Sequence, residues 1–351
     1  MTADGMDQNC TEALHGGDVY RNKVELDFSV NLNPSEIPER IRAACSDAIE
    51  DLRHYPDPRQ YSLRRAIAAM DGVDMDSVIC GNGASELIMA AVHALDPKKA
   101  LITSPCYAGY RVALGAADAV IEEHQLKEEE GFALTASILD KLGPGLDMVF
   151  LGNPNNPNGG LIDEDLLNVI KKKCGELDIC LVIDECFLPL TARGTTAPAD
   201  DDKTIHLRAL TKSFSLPALR LGYAVCMDSG LREKIRKQLP EWNVSLIAQR
   251  AGCAAVSADT DGFLAESVKL IEEERAFLSE GLTELGIKAF PSDTNYLLIK
   301  TRPGLYEKLL AKGILIRRCA NFSGLDESYF RVAVRGREDN IKLIQAIGEV
   351  I

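Results

Sequence analysis

The sequence predicts an α/β protein: a large domain on a mostly parallel sheet flanked by helices, then a smaller α+β C-terminal domain. Three observations point there. From about residue 77, short apolar runs alternate with helical patterns, as in parallel βα units. After about Trp242 the texture changes to long helices followed by short strands. At about 150 residues per domain, 351 residues correspond to roughly two domains.

In order, Ser77–Cys80 is the first expected strand, followed by a glycine turn and an apolar helix through Leu95. Ala100–Thr103, Ala119–Glu122, Asp147–Leu151 and Ile179–Asp184 are further strands, with helical stretches such as Asp163–Cys174 between them. Ile205–Leu210 and Gly222–Cys226 continue the series, and Phe263–Leu285 is the clearest long helix. Strands at Tyr296–Ile299, Ile314–Arg317 and Tyr329–Val334, with a closing helix from Arg337, make up the smaller domain. The expected division is 46–240 for the large domain and 241–351 for the small one. Residues 1–45 could pack against either and are placed with the small domain.

Composition sets limits on function. With 39 basic and 53 acidic side chains the formal charge is −14, which argues against a general nucleic-acid binder, since these neutralise phosphates with Lys and Arg. With 46% apolar and 26% charged residues, the chain can bury a substantial core. The stretch from Met1 to Asp18 has no basic segment followed by an apolar run, and no run approaches about 18 apolar residues. The expectation is a cytoplasmic protein without a membrane span. Its ten cysteines, scattered from Cys10 to Cys319 with no CxxC pair, read as buried reduced thiols, and no histidine sits at metal-ligand spacing to a cysteine.

Four segments carry chemistry. Gly81-Asn82-Gly83-Ala84-Ser85-Glu86 lies at a strand-to-helix turn, where backbone N–H groups can meet a phosphate; it is neither GxGxxG nor a Walker A loop. Asn153-Pro154-Asn155-Asn156-Pro157-Asn158-Gly159-Gly160 consists of ordinary turn formers, yet it follows a parallel strand at the edge where open α/β sheets bind ligands. Asp184-Glu185 ends an apolar strand at that same edge. In Thr211-Lys212-Ser213-Phe214-Ser215-Leu216-Pro217-Ala218-Leu219-Arg220, one lysine stands among small hydroxyl residues; a buried lysine has a depressed pKa and can form Schiff bases. Any one of these has a bland explanation, as turn, helix cap or surface charge.

In this order and spacing the four resemble the pyridoxal-phosphate (PLP) enzymes of the aspartate-aminotransferase fold, over nearly the whole chain. The resemblance implies PLP as cofactor and Lys212 as the lysine that carries it and serves as acid and base at the substrate carbon. Asp184 would pair with the pyridine nitrogen and keep the ring able to accept electrons. Asn156 would bond the ring's phenolic oxygen, and Ala84, Ser85 and Arg220 would hold the phosphate, with Thr211 a further candidate. Tyr107 matches the aromatic that stacks on the ring. Tyr55, in Tyr55-Pro56-Asp57-Pro58, resembles the tyrosine that reaches the neighbouring subunit's cofactor phosphate, which implies a homodimer with shared active sites. Two positions depart from the wider pattern: Phe187 stands where most relatives have Tyr, and Ala209 where Ser or Thr often helps hold the phosphate.

Within that fold the chain ends resemble the threonine-phosphate decarboxylases of cobalamin side-chain synthesis. The matching segments are His15-Gly16-Gly17, Asp27-Phe28-Ser29-Val30-Asn31-Leu32-Asn33-Pro34, Leu239-Pro240-Glu241-Trp242-Asn243-Val244 and the stretches around Arg317 and Arg331. Phe187 is that branch's usual choice. The resemblance implies a small anionic amino acid as substrate. Arg331 would clamp its carboxylate, and Arg317 its phosphate, with His15 and Asn31 helping and Asn156 alongside. A strand alternates faces, so at most one of Arg317 and Arg318 points inward, whereas Arg331 and Arg335 have the same parity. Histidinol-phosphate aminotransferases share the cofactor residues. Decarboxylation and transamination differ in which α-bond stands perpendicular to the ring, so both stay open. A non-catalytic PLP-binding regulator is the third possibility, disfavoured by the intact Lys212, Asp184, Asn156 and Arg220 set.

Overall fold

The computed structural model describes residues 15–195, 197–198, 203–257 and 260–351; Cys10 lies outside them. The strands are β1 (Leu26–Asp27), β2 (Val78–Gly81), β3 (Lys99–Ser104), β4 (Val120–Gln125), β5 (Met148–Gly152), β6 (Cys180–Asp184), β7 (Thr204–Ala209), β8 (Gly222–Cys226), β9 (Lys288–Ala289), β10 (Tyr296–Lys300), β11 (Ile314–Leu315), β12 (Arg317–Arg318) and β13 (Tyr329–Ala333). Strands β2 to β8 form one sheet in the order β2-β8-β7-β6-β5-β3-β4.

The central strands read as continuous apolar runs because both faces of this sheet are covered. Ala100, Ile102, Met148, Phe150 and Val182 pack on one side with the helices Ala84–Leu95 and Ala108–Ala116. Leu101, Val149, Leu151, Leu181 and Ile183 pack on the other with Ile170 and Cys174 of the helix Glu164–Glu176. Asp163 caps that helix, accepting a bond from Leu166 N, rather than forming its first turn.

One expectation needs correction. Gly222–Cys226 does not continue the parallel series, for β8 runs antiparallel to both β7 and β2. The connection from Ala209 holds only the short helix Leu210–Ser213 and a 3-10 turn, too little for a covering crossover. Leu210 accordingly leaves the strand and opens that turn.

The smaller unit is built on the sheet β12-β13-β10-β9. Its strands alternate. Leu297, Ile299, Phe330 and Val332 face the helices Thr260–Glu284 and Arg337–Gly348. The opposite parity, Tyr296, Leu298, Tyr329 and Arg331, turns toward the large sheet. The expected single strand Ile314–Arg317 is divided: Ile314 and Leu315 pair with Leu26 and Asp27, while Arg317 and Arg318 pair with Arg331 and Phe330. Phe28 thereby enters the small core, whereas Ile41, from the helix Glu39–Ala48, packs with Leu63, Ile67 and Ala248 beside β2 and β8.

A charged network lies inside the large unit. Arg208 donates to Glu185 Oε2 (2.8 Å) and pairs with Asp71 Oδ2 (2.7 Å); His206 Nδ1 lies 2.8 Å from Glu185 Oε1, and Tyr223 donates to Asp71 (3.3 Å). All five are buried. Burial works against ionisation of Glu185, but His206 and Arg208 outweigh it and hold the carboxyl down to about 2. Removing one member of such a network strands its partners without solvent. Arg208→Ala is therefore expected to cost about 3–5 kcal/mol of stability, measured by urea denaturation.

Candidate active site

The carboxyl ends of β5, β6 and β7 converge under the small sheet. Asn156 follows β5, Asp184 ends β6 and Lys212 sits in the helical turn after β7. They line a cavity of about 300 Å³, where open α/β sheets place ligands. Ala84, Ser85, Tyr107, Thr211 and Arg220 line it from the large unit, Arg317 and Arg331 from the small sheet, and His15 and Asn31 from the N-terminal segment. All the residues expected from the sequence are brought together except Tyr55. That side chain lies outside the cavity, 79% exposed, its ring 4.7 Å from Trp242.

Each wall has a local cause. Gly83, with φ +78°, is the N-cap of the helix Ala84–Leu95, and the helix's first N–H groups face the cavity without a side-chain cap. A Cβ at Gly83 would lie 2.6 Å from Arg220 Nη2, so glycine is what lets the guanidinium approach the helix N-terminus. A Cβ at Gly109 would meet the Tyr107 ring at 2.2 Å. Tyr107 also lies 3.3 Å from Ser85 Oγ and 5.8 Å, ring to ring, from His15.

Asp184 is fixed from two sides, by Tyr110 Oη (2.7 Å) and the Cys186 amide (3.0 Å). Tyr110 was not among the residues the sequence singled out. Its signal is its spacing, three residues after Tyr107 and so on the same side of one helical turn. It is stacked on Phe150, and burial together with Asp184 pushes its phenol up, which keeps it a proton donor. Ser29 and Phe322 were also missed and line the cavity. Phe187 and Ala209 line it too, with Phe187 packed edge-on against Tyr296.

On the small-sheet side, Arg331 donates to Asn156 Oδ1 (2.6 Å) and to the Ser29 carbonyl (2.9 Å), and its buried Nε has no partner. Arg317 donates to Asn321 Oδ1 (2.8 Å) and lies over the Phe322 ring. The adjoining Arg318 turns outward, onto Glu307 (2.9 Å) and Tyr306. Arg335 lies past the end of β13, bound to Asp339 and the Asp27 carbonyl, and does not line the cavity. Asn31 is buried, with neither side-chain amide atom bonded to protein. Among the described residues, Asp184 is the one carboxylate lining this cavity, against Lys212, Arg220, Arg317 and Arg331.

The residues present suit PLP. A helix N-terminus with Arg220 suits its phosphate, a twice-bonded carboxylate its ring nitrogen, and a buried amine its aldehyde. Burial, with Arg331 next, pushes the Lys212 ammonium down to about 8. Burial and the nearby Arg317, Arg331 and Lys212 likewise lower His15. Removing the Arg331 charge takes away a repulsion and must raise the lysine. In cofactor-free protein, labelling of Lys212 by an amine-selective reagent is expected to be half-maximal near pH 8, read by peptide mass spectrometry. Arg331→Met is expected to move that midpoint upward.

Comparison with known proteins agrees with this geometry. Residues 23–347 match the family model described as aminotransferase class I and II. Threonine-phosphate decarboxylase of Salmonella typhimurium is 35% identical, over 93% of this chain and 91% of the relative. Histidinol-phosphate aminotransferase of Thermoanaerobacter pseudethanolicus is 31% identical, over 95% and 93%. The crystal structure of histidinol-phosphate aminotransferase from Clostridium acetobutylicum superposes with a TM-score of 0.85 at 30% identity, covering 93% of this chain and 98% of that one. With the cavity suited to PLP and the match spanning nearly its whole length, the chain belongs to the class I and II aminotransferase family of PLP-dependent enzymes.

Proposed function

We propose that the protein decarboxylates a phosphorylated amino acid, converting L-threonine O-3-phosphate to CO2 and 1-aminopropan-2-ol O-phosphate, a step of cobalamin synthesis. The observation that carries this reading is the cation surplus in the cavity. Ala84, Ser85, Arg220 and Thr211 would serve the cofactor phosphate. Arg331, Arg317, His15 and Asn31 then remain for the substrate, enough for two anionic groups. The name carried by the Salmonella relative supports the same choice.

When bound, PLP supplies an electron sink for negative charge developing at the substrate α-carbon. The chain's own residues do the rest. Arg331, held by Asn156 and Ser29, would orient the α-carboxylate, and Arg317 would hold the phosphate. Tyr107 would cover the ring and Asp184, steadied by Tyr110, would keep its nitrogen protonated. Loss of CO2 breaks the bond between α-carbon and carboxyl carbon. Lys212, with its low pKa, would return one proton to the α-carbon.

A homodimer belongs to this reading. Ile49, Leu52 and Tyr55 are 55%, 60% and 79% exposed within one short stretch, and the Tyr55 ring lies beside Trp242. A second copy would cover them and receive Tyr55 at its cavity. Sedimentation is expected to give twice the 38.3 kDa chain mass, and Tyr55→Ala to weaken PLP retention.

The reaction is tested by supplying O-phosphothreonine to the holoenzyme without any amino acceptor. CO2 release in step with amine phosphate is the expected result. Turnover that instead depends on 2-oxoglutarate and yields no CO2 would make the protein an aminotransferase, in keeping with its histidinol-phosphate relatives. Among the described residues no helix is long and apolar enough to cross a membrane.

A further inference from the structure

Beyond the cavity, one side chain joins the two units at a place no functional assignment covers. After β4, the segment Leu126–Leu134 leaves the large sheet and lies against the small one. Leu126 and Phe132 are buried in one cluster with Phe290, Leu298 and Tyr329. The Phe132 ring lies 5.0 Å from Phe290 and 6.0 Å from Tyr329. At the edge of this cluster Glu128 accepts three bonds from the small sheet: Lys288 Nζ at 2.8 Å, Lys300 Nζ at 2.8 Å and Tyr329 Oη at 2.6 Å. Lys288, then Lys300 and Tyr329, hold its carboxyl down to about 2.

What makes this more than a surface ion pair is where the donors stand. Lys300 pairs with Tyr329, Leu298 with Arg331, and Arg331 with Arg317. By the two-residue period of a strand, Tyr329 and Arg331 share a face, separated by roughly 7 Å along β13. Glu128 therefore grips one end of the sheet face whose middle carries the two cavity arginines. The arm reaches the site from its other end as well. The Phe132 carbonyl accepts from Asn158 Nδ2 (3.2 Å), Asn158 Oδ1 accepts from Asn155 Nδ2 (2.6 Å), and Asn155 precedes the Asn156 that holds Arg331.

We infer that Glu128 is a positioning residue: its three-fold grip on Lys288, Lys300 and Tyr329 sets the small sheet so that Arg317 and Arg331 stand at substrate distance from Lys212. Exposed ion pairs taken singly contribute little. Here three donors from two adjacent strands and a hairpin edge converge on one carboxylate backed by an aromatic cluster, so the sheet is held in orientation rather than at a single point. Without the grip, the cavity keeps its large-sheet half, where the cofactor groups lie, and loses the alignment of its anion-binding half.

The inference rests on the proposed reading of the site, and the test separates the two. Glu128→Gln keeps size and removes charge; Lys300→Met attacks the same contact from the opposite side. With holoenzyme and O-phosphothreonine, each variant is expected to raise KM about fivefold or more while kcat stays within about twofold, the pattern of lost substrate binding. Deuterium exchange at 126–132 and 288–300 is expected to quicken in both, with PLP affinity unchanged. KM within about twofold of wild type with unchanged exchange would overturn the inference. So would a loss of kcat at constant KM, or faster exchange throughout the chain. If the wild-type enzyme does not turn over O-phosphothreonine, the proposed reaction fails, and the exchange measurement alone decides on Glu128.

Discussion

Among the described residues, Lys212, Arg220, Arg317 and Arg331 share one cavity with a single carboxylate, Asp184, and positive charges packed that closely repel unless anions enter. Much of the architecture follows from that repulsion. Burial first, and then the charge of Arg331, lowers the lysine to about 8, within reach of neutral pH. The same surplus of positive charge favours negatively charged groups inside the cavity, of which the cofactor phosphate is one. A chain with net charge −14 thus gathers these four cations in one place.

Such a site needs walls that do not yield. The large sheet supplies them through burial on both faces, so that the ends of β5, β6 and β7 stand at fixed separation. Behind Asp184 and Lys212, the Arg208, Glu185, His206 and Asp71 network ties β6 and β7 together from the side away from the cavity. The small sheet contributes differently. Its inner parity is apolar and packs on helices, which leaves the outer parity free to carry Arg317 and Arg331. A single residue along the strand thus separates a core position from a cavity position.

Much of this was legible in the sequence because the relevant signals are local. The apolar runs before Asn153 and Asp184 predict strands whose ends face one edge, and Lys212 stands out once the four segments are read together as a family resemblance. Strand parity lets at most one of Arg317 and Arg318 turn inward, and the family resemblance is what singles out Arg317. What escaped depends on contacts between distant segments. Nothing near Gly222 announces that β8 reverses; the reason is the short link behind it, which cannot cross the sheet. The break after Leu315 is invisible locally, because it is created by the pairing of Leu26 and Asp27 with Ile314 and Leu315. Tyr110 escaped because its partner is Asp184, far along the chain, although its spacing from Tyr107 was a usable signal. Glu128 escaped for the same reason: in sequence it is one acid in a run of three.

The central claim is that this cavity recognises two anions on one amino acid, the second through Arg317. Calorimetric titration of PLP-loaded Lys212→Ala protein, which lacks the lysine that turnover needs, with O-phosphothreonine and with L-threonine tests it most directly, because the two ligands differ only in the phosphoryl group. The phosphorylated ligand is expected to bind about 100-fold more tightly, the worth of about two charge-assisted hydrogen bonds. Arg317→Gln is then expected to remove most of that difference while leaving threonine binding unchanged. Equal affinity for the two ligands, or a preference that survives Arg317→Gln, would contradict it.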